Sequence, residues 1–191
     1  MKKELKKSDI PNDLILRVQG RRGGWCSATV SIGIRYRGEG ALRFAPDGAK
    51  INASEYIGVV ANTYFPDRHQ LCGVPPTCAH QKDCASSHEA NATHAYIASK
   101  FPRFWAKNAW PPNSHDLDPL GYFACGYVQA VVTNGTPGGL DTLKLAIRKS
   151  ANALPPDMAQ RAIDSFPRRV ELRIQKEGAH SKTYAGVLRL S

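Results

Sequence analysis

Residues 110–129 read WPPNSHDLDPLGYFACGYVQ, and the fold turns on how this stretch is read. Pro111-Pro112 and Pro119 stiffen the backbone and oppose regular structure before Leu120. From there Leu120, Phe123, Tyr127, Val128 and Val131 recur at steps of three and four, the stripe of an amphipathic helix. Asp116 and Asp118 fall in the turn that opens this helix, where carboxylates favour the positive end of its dipole. On residue chemistry alone this is an ordinary helix start.

Working outward, a second stripe (Leu140, Leu143, Ile147, Ala151, Leu154) follows Gly138-Gly139, and Pro155-Pro156 opens a third helix bearing Met158, Ala162, Ile163 and Phe166. Val170–Lys176 reads as a further helix closed by Gly178, although Val170, Leu172 and Ile174 also alternate as in a strand. On the N-terminal side, His88–Lys100 looks helical. Asn52 and Ser54 are candidate N-caps for a helix carrying Tyr56, Val59, Val60 and Tyr64. Ala28–Tyr36 alternates apolar and polar residues and is rich in β-branched ones. With Ala41–Ala45 it predicts a β-hairpin turned by Arg37-Gly38-Glu39-Gly40. Asp13–Gln19 reads as a short strand, and residues 1–13 as a charged arm. Strands followed by helices in one core-sized chain predict a single α/β (α+β) domain.

The chain has 191 residues, with 26 Lys and Arg against 16 Asp and Glu, a formal charge of +10. Such an excess favours polyanionic partners, because each neutralised phosphate releases counterions. No run approaches the roughly 20 apolar residues that span a bilayer. The basic start lacks the apolar core of a secretory signal, so an intracellular protein is expected. On that reading the five cysteines (Cys26, Cys72, Cys78, Cys84, Cys125) are reduced thiols, and the sequons at Asn52 and Asn91 are chance matches. Cys72, Cys78, His80, Cys84 and His88 are zinc-capable residue types, but no Cys-x-x-Cys knuckle is present, and zinc is not expected.

Beyond residue chemistry, the 110–129 block resembles the WPP-x-SPDL-x-PLDY block of mariner-type (Tc/mariner) DNA transposases. QKDCASSHEANATHAYI at 81–97 resembles the family's QQD-x-A-P-x-H-x-A block, and FPRFWAKNAW at 101–110 its linking stretch. SIGIRYRGEGALRFAPDGAKINASEYI at 31–57 resembles its hairpin and following helix, and AIDSFPRRVELRIQKEGAH at 162–180 its C-terminal helices. The resemblance implies an RNase H-like mixed sheet flanked by helices over residues 14–180, followed by a tail at 181–191. It also implies a DDE/D superfamily endonuclease site, where three carboxylates hold two magnesium ions for cutting and joining transposon DNA.

Residue by residue, the resemblance puts the second carboxylate at Asp83. The third belongs after the Pro-Leu of the WPP block, where this chain has Gly121, with 37 residues between the two positions. The first sits in an Asp-Glu-Lys-like strand that the family places well upstream of the hairpin. Nothing before Ala28 matches it, and Asp9 and Asp13 stand too close to the hairpin. The family's helix-turn-helix DNA-binding region is missing too, and Ser86, His115 and Cys125 replace usual prolines and a tryptophan. Cys72–Ala79 looks inserted, which further weakens zinc.

The expectation is therefore an RNase H-like domain lacking its own central first strand, with Leu14–Val18 as a candidate to slip into the gap. One carboxylate cannot fix two divalent ions, and Asp116 or Asp118 would need the wrong reach to replace the ligand at Gly121. A degenerate nuclear transposase fragment with residual DNA binding is expected, and magnesium is not expected to bind productively. The alternatives are a retained non-catalytic module for DNA, RNA or an intact transposase, a homodimer among them, or an active magnesium-dependent endonuclease.

Overall fold

The computed structural model describes residues 12–19, 27–34, 41–47, 49, 51–66, 79–82, 85–107, 109–111, 114–135 and 137–178, with backbone alone for 12–19 and for Ser27. The second strand, β2 (Ser27–Ile34), shows how the sequence builds two layers on one sheet. Ala28, Val30, Ile32 and Ile34 are buried on one face. Ser31 points to the other, where its Oγ lies 2.6 Å from Tyr64 Oη. Side chains alternate across a strand, so a period of two in β-branched residues becomes an apolar face and a small, polar one.

Four strands form the sheet in the order β3-β2-β1-β4, with β1 at Asn12–Gln19, β3 at Ala41–Phe44 and β4 at Gln81–Lys82. β1 is antiparallel to β2, from Asn12 opposite Ile34 to Gln19 opposite Ser27. It is parallel to β4, with Asn12 opposite Gln81 and Asp13 opposite Lys82. The central slot, expected to lack the family's own strand, is therefore filled by the segment that contains Leu14–Val18. A fifth position is sketched beyond β4, where His80 N donates to Arg103 O (2.9 Å) and Trp105 N to His80 O (3.1 Å).

On the Ser31 face lie α1 (Ala53–Val59, continued as a π-helical turn through Tyr64) and α2 (Asn91–Lys100). Tyr56, Val59, Val60, Tyr64, Ile97 and Phe101 pack together there. On the other face lie α3 (Cys125–Gly135, entered by a π-helical Leu120–Ala124), α4 (Leu140–Asn152), α5 (Pro156–Asp164) and α6 (Phe166–Gln175). The buried stripes of these helices, Leu120-Phe123-Val128-Val132 and Leu143-Ile147 among them, join the even residues of β2 in the larger core.

Local signals account for most helix ends. Asn52 accepts the Glu55 amide on its Oδ1 at 2.9 Å, which settles the choice between Asn52 and Ser54 as N-cap. Asn52→Ala is expected to cost about 1 kcal/mol in chemical denaturation. At the C-terminal end Glu177 and Gly178 have φ of 51° and 89°, and Gly178 N closes on Arg173 O at 2.9 Å. The ambiguous 170–176 stretch is helical because burial follows Phe166 and Arg169, three apart, while Ile174 is 71% exposed.

Candidate functional site

Of the three carboxylates that the resemblance implies, one was expected in this chain, Asp83, with Gly121 at the third position. Asp83 lies outside the described residues, as do Cys72, Cys78 and Cys84. Its neighbour Lys82, at the end of β4, is buried. Lys82 Nζ donates to Glu89 Oε1 at 2.5 Å and lies 3.1 Å from His94 Nε2. Burial, then the Lys82 charge, holds His94 below the ordinary histidine range, against an opposing pull from Glu89. A neutral His94 can accept the lysine proton, so β4, the 85–90 turn and α2 are joined by one polar cluster. No periodicity in the sequence marks this trio.

The two histidines of the cysteine-rich segment are core residues. His80 stacks on Phe101 with centroids 4.7 Å apart, and His88 lies 3.8 Å from the Tyr56 ring. Burial, helped by His88 and Lys82, pushes His80 from 6.5 down to about 3. Among the described residues no three His, Cys, Asp or Glu side chains group as metal ligands.

The 114–122 loop is clamped from α6. Arg173 Nη1 donates to Asp116 Oδ1 at 2.8 Å and Arg169 Nη1 to the Asp116 carbonyl at 3.1 Å. The Arg169 guanidinium sits 3.4 Å from the Tyr122 ring centroid, a cation–π contact, and its Nε donates to Ser165 Oγ. Tyr122 Oη donates to Ala162 O at 2.5 Å, tying the same loop to α5. Asp118 is buried, and its Oδ1 accepts the Leu120 amide at 3.1 Å, a helix-opening contact. Both aspartates are thus committed to holding the loop, in keeping with the ordinary helix-start reading. The arginine partners were not foreseen, since more than fifty residues separate them from Asp116.

Gly121 is closed in by that loop. A Cβ added there would lie 2.9 Å from the His115 carbonyl oxygen and 3.4 Å from His115 Cα and Cβ. The described residues therefore do not fit a pair of divalent ions: the place assigned to the third carboxylate has no room for a side chain, and both nearby acids are engaged.

The catalytic domain of Mos1 mariner transposase superposes with a TM-score of 0.77 at 15% identity, covering 92% of this chain and 85% of that one. The fold is that of a mariner transposase catalytic domain. It is RNase H-like, as the resemblance implied. The Mos1 paired-end complex with Mn matches with a TM-score of 0.78 at 13% identity, covering 92% of this chain and 57% of the longer Mos1 chain. The Mos1 catalytic domain with Raltegravir and Mg gives 0.75 at 15% identity, over 93% and 87% of the two chains. No family model matches the sequence, and no curated protein matches it. No helix among the described residues is long and apolar enough to cross a membrane.

Proposed function

We propose that this chain is a nucleic-acid-binding protein on a mariner catalytic fold, and that it does not itself cut DNA. The observation that carries the reading is the packing of the His115 backbone against Gly121, which leaves no space where a third carboxylate would stand. The His115 backbone stands against the point where such a side chain would begin. The net charge of +10 supports a phosphate-bearing partner. DNA is the partner that the structural neighbours suggest, as the Mos1 structures include a pre-cleavage transpososome and paired-end complexes. With such a partner we read the protein as nuclear. By the resemblance, Asp83 stands at the second carboxylate position and Gly121 at the third.

Binding and cleavage are tested separately. In a salt titration with duplex DNA, log K is expected to fall linearly with log salt, with a slope of roughly −0.9 for each phosphate neutralised. With magnesium or manganese, supercoiled DNA is expected to stay intact. Metal-dependent nicking that disappears in Asp83→Ala would overturn the non-cutting reading. An absence of salt-dependent binding would overturn the nucleic-acid reading.

A further inference from the structure

β3 is the outer strand of the sheet among the described residues, and cations flank it on both faces. Arg43 pairs with Ser31 and so shares the face of α1, while Phe44 pairs with Val30 and faces the larger core. Arg148 of α4 lies 5.6 Å from the Phe44 ring centroid. Arg43 and Arg148 are both exposed, and among the described residues neither forms an ion pair. Four other cations are ion-paired: Arg173 with Asp116, Arg161 with Asp157, Lys144 with Asp47 and Lys82 with Glu89.

Behind Arg43, between β3 and α1, runs a cleft of about 180 Å³. That is below the roughly 300 Å³ at which clefts for drug-sized ligands begin, and it suits one flat ring. Ile51 and Val59 give it apolar wall, and Thr29, Ser54 and Glu55 give it polar atoms. Glu55 is the informative group. An ionised carboxylate only accepts hydrogen bonds, so it favours amino groups and repels an anion entering the cleft. A phosphate therefore belongs at the mouth, with Arg43, and an uncharged ring bearing donors belongs inside. An acidic peptide would set carboxylate against carboxylate.

We propose that this cleft takes one unpaired nucleobase of a single-stranded nucleic acid, with the flanking phosphates on Arg43 and, across the sheet edge, Arg148. A paired base cannot enter, because its donor edge is already used and its partner is too bulky. This inference rests on the nucleic-acid reading above and gives it a location away from the Gly121 loop.

Gly58 supplies a clean test. It lines the cleft, and a Cβ added there would meet nothing within 4 Å. Gly58→Leu should fill the cleft while keeping or raising Tm, since glycine is the poorer residue within a helix. Fluorescence anisotropy would compare oligo(dA), oligo(rA), an oligo(dA)·oligo(dT) duplex and free AMP at one salt concentration. The wild type is expected to prefer single strands to duplex, with AMP far weaker because it lacks the second phosphate contact. Gly58→Leu is expected to lose that preference. Arg43→Glu should weaken single-strand binding about tenfold, equivalent to about 1.4 kcal/mol. Arg168→Glu, the same charge change on exposed α6, should weaken it far less. Unchanged single-strand preference in folded Gly58→Leu, or equal losses in the two arginine variants, would refute the cleft. Duplex binding without single-strand preference would refute it too while leaving the nucleic-acid reading standing. Failure of the wild type to bind any nucleic acid would remove both.

Discussion

Gly121→Asp is expected to lower stability and to yield no nuclease. Restoring the missing acid looks like a gain of one metal ligand, but the new Cβ would lie 2.9 Å from the His115 carbonyl oxygen, closer than real Cβ atoms come. The obstacle is backbone rather than a flexible side-chain tip, and Arg169, Arg173 and the helix start at Asp118 hold that backbone in place. Forcing atoms into a packed region costs about 1–3 kcal/mol, and the added carboxylate would face a carbonyl oxygen. Calorimetry should therefore show a clear fall in Tm, with supercoiled DNA left intact in manganese. Gly126→Ala in α3 is the control, because a Cβ there meets nothing within 4 Å. It should be neutral or stabilising by up to about 1 kcal/mol. A Gly121→Asp protein as stable as wild type would show that the loop opens easily, and nicking by that variant would show that the missing ligand alone keeps the chain from cutting.

The second large effect is expected on acidification. His80 is fully enclosed, stacked on Phe101, and pushed from 6.5 to about 3. The folded protein thus keeps this ring neutral while the unfolded chain protonates it below 6.5. Stability from His80 is complete above that value and drains away as pH falls toward about 3, where the loss levels off. At pH 5 the loss is on the order of 2 kcal/mol, from about 1.4 kcal/mol per pH unit below 6.5. His94, lowered in the same direction, adds to the trend. Denaturant titrations at pH 7 and pH 5 would measure it. His80→Phe keeps an aromatic ring against Phe101 and should remove most of the difference. If His80→Phe and wild type lose equal stability, or if NMR shows the His80 ring titrating near 6.5, burial is not controlling this group.

The parts of the fold that were legible in the sequence are those encoded by neighbouring residues. The prolines and aspartates of 110–119 announced a turn, and the three-and-four spacing after Leu120 announced a helix; both stand. The Asn52 cap and the hairpin of β2 and β3 were equally local. What stayed hidden was set by distant contacts. Asp116 looked like a helix-dipole carboxylate because nothing nearby in sequence names Arg173 as its partner. His80 and His88 were zinc-capable types with no zinc expected, and residue type did not report their burial against Phe101 and Tyr56. Asp13 was set aside for standing too near the hairpin. The sheet puts it in the central strand, in register with Lys82, the residue before Asp83. Strand pairing can recruit a segment from next door as readily as from upstream, so the central strand here is a sequence neighbour of the hairpin. The likeness to the 110–129 block pointed to the right fold, and the packing around Gly121 is the observation on which the non-cutting proposal rests.

The origin of the central strand also bears on how the chain reaches this structure. β1, β2 and β3 are consecutive and antiparallel, so residues 12–44 form a meander whose pairings are all between sequence neighbours. The short parallel contact of β1 with β4 joins strands far apart in the chain. Loop-closure entropy makes distant pairings slow to form and neighbouring ones fast. The meander is therefore placed to assemble first and to present the apolar face of Ala28, Val30, Ile32 and Ile34 to the later helices. A central strand drawn from nearby sequence lets the sheet begin before most of the chain has found its place.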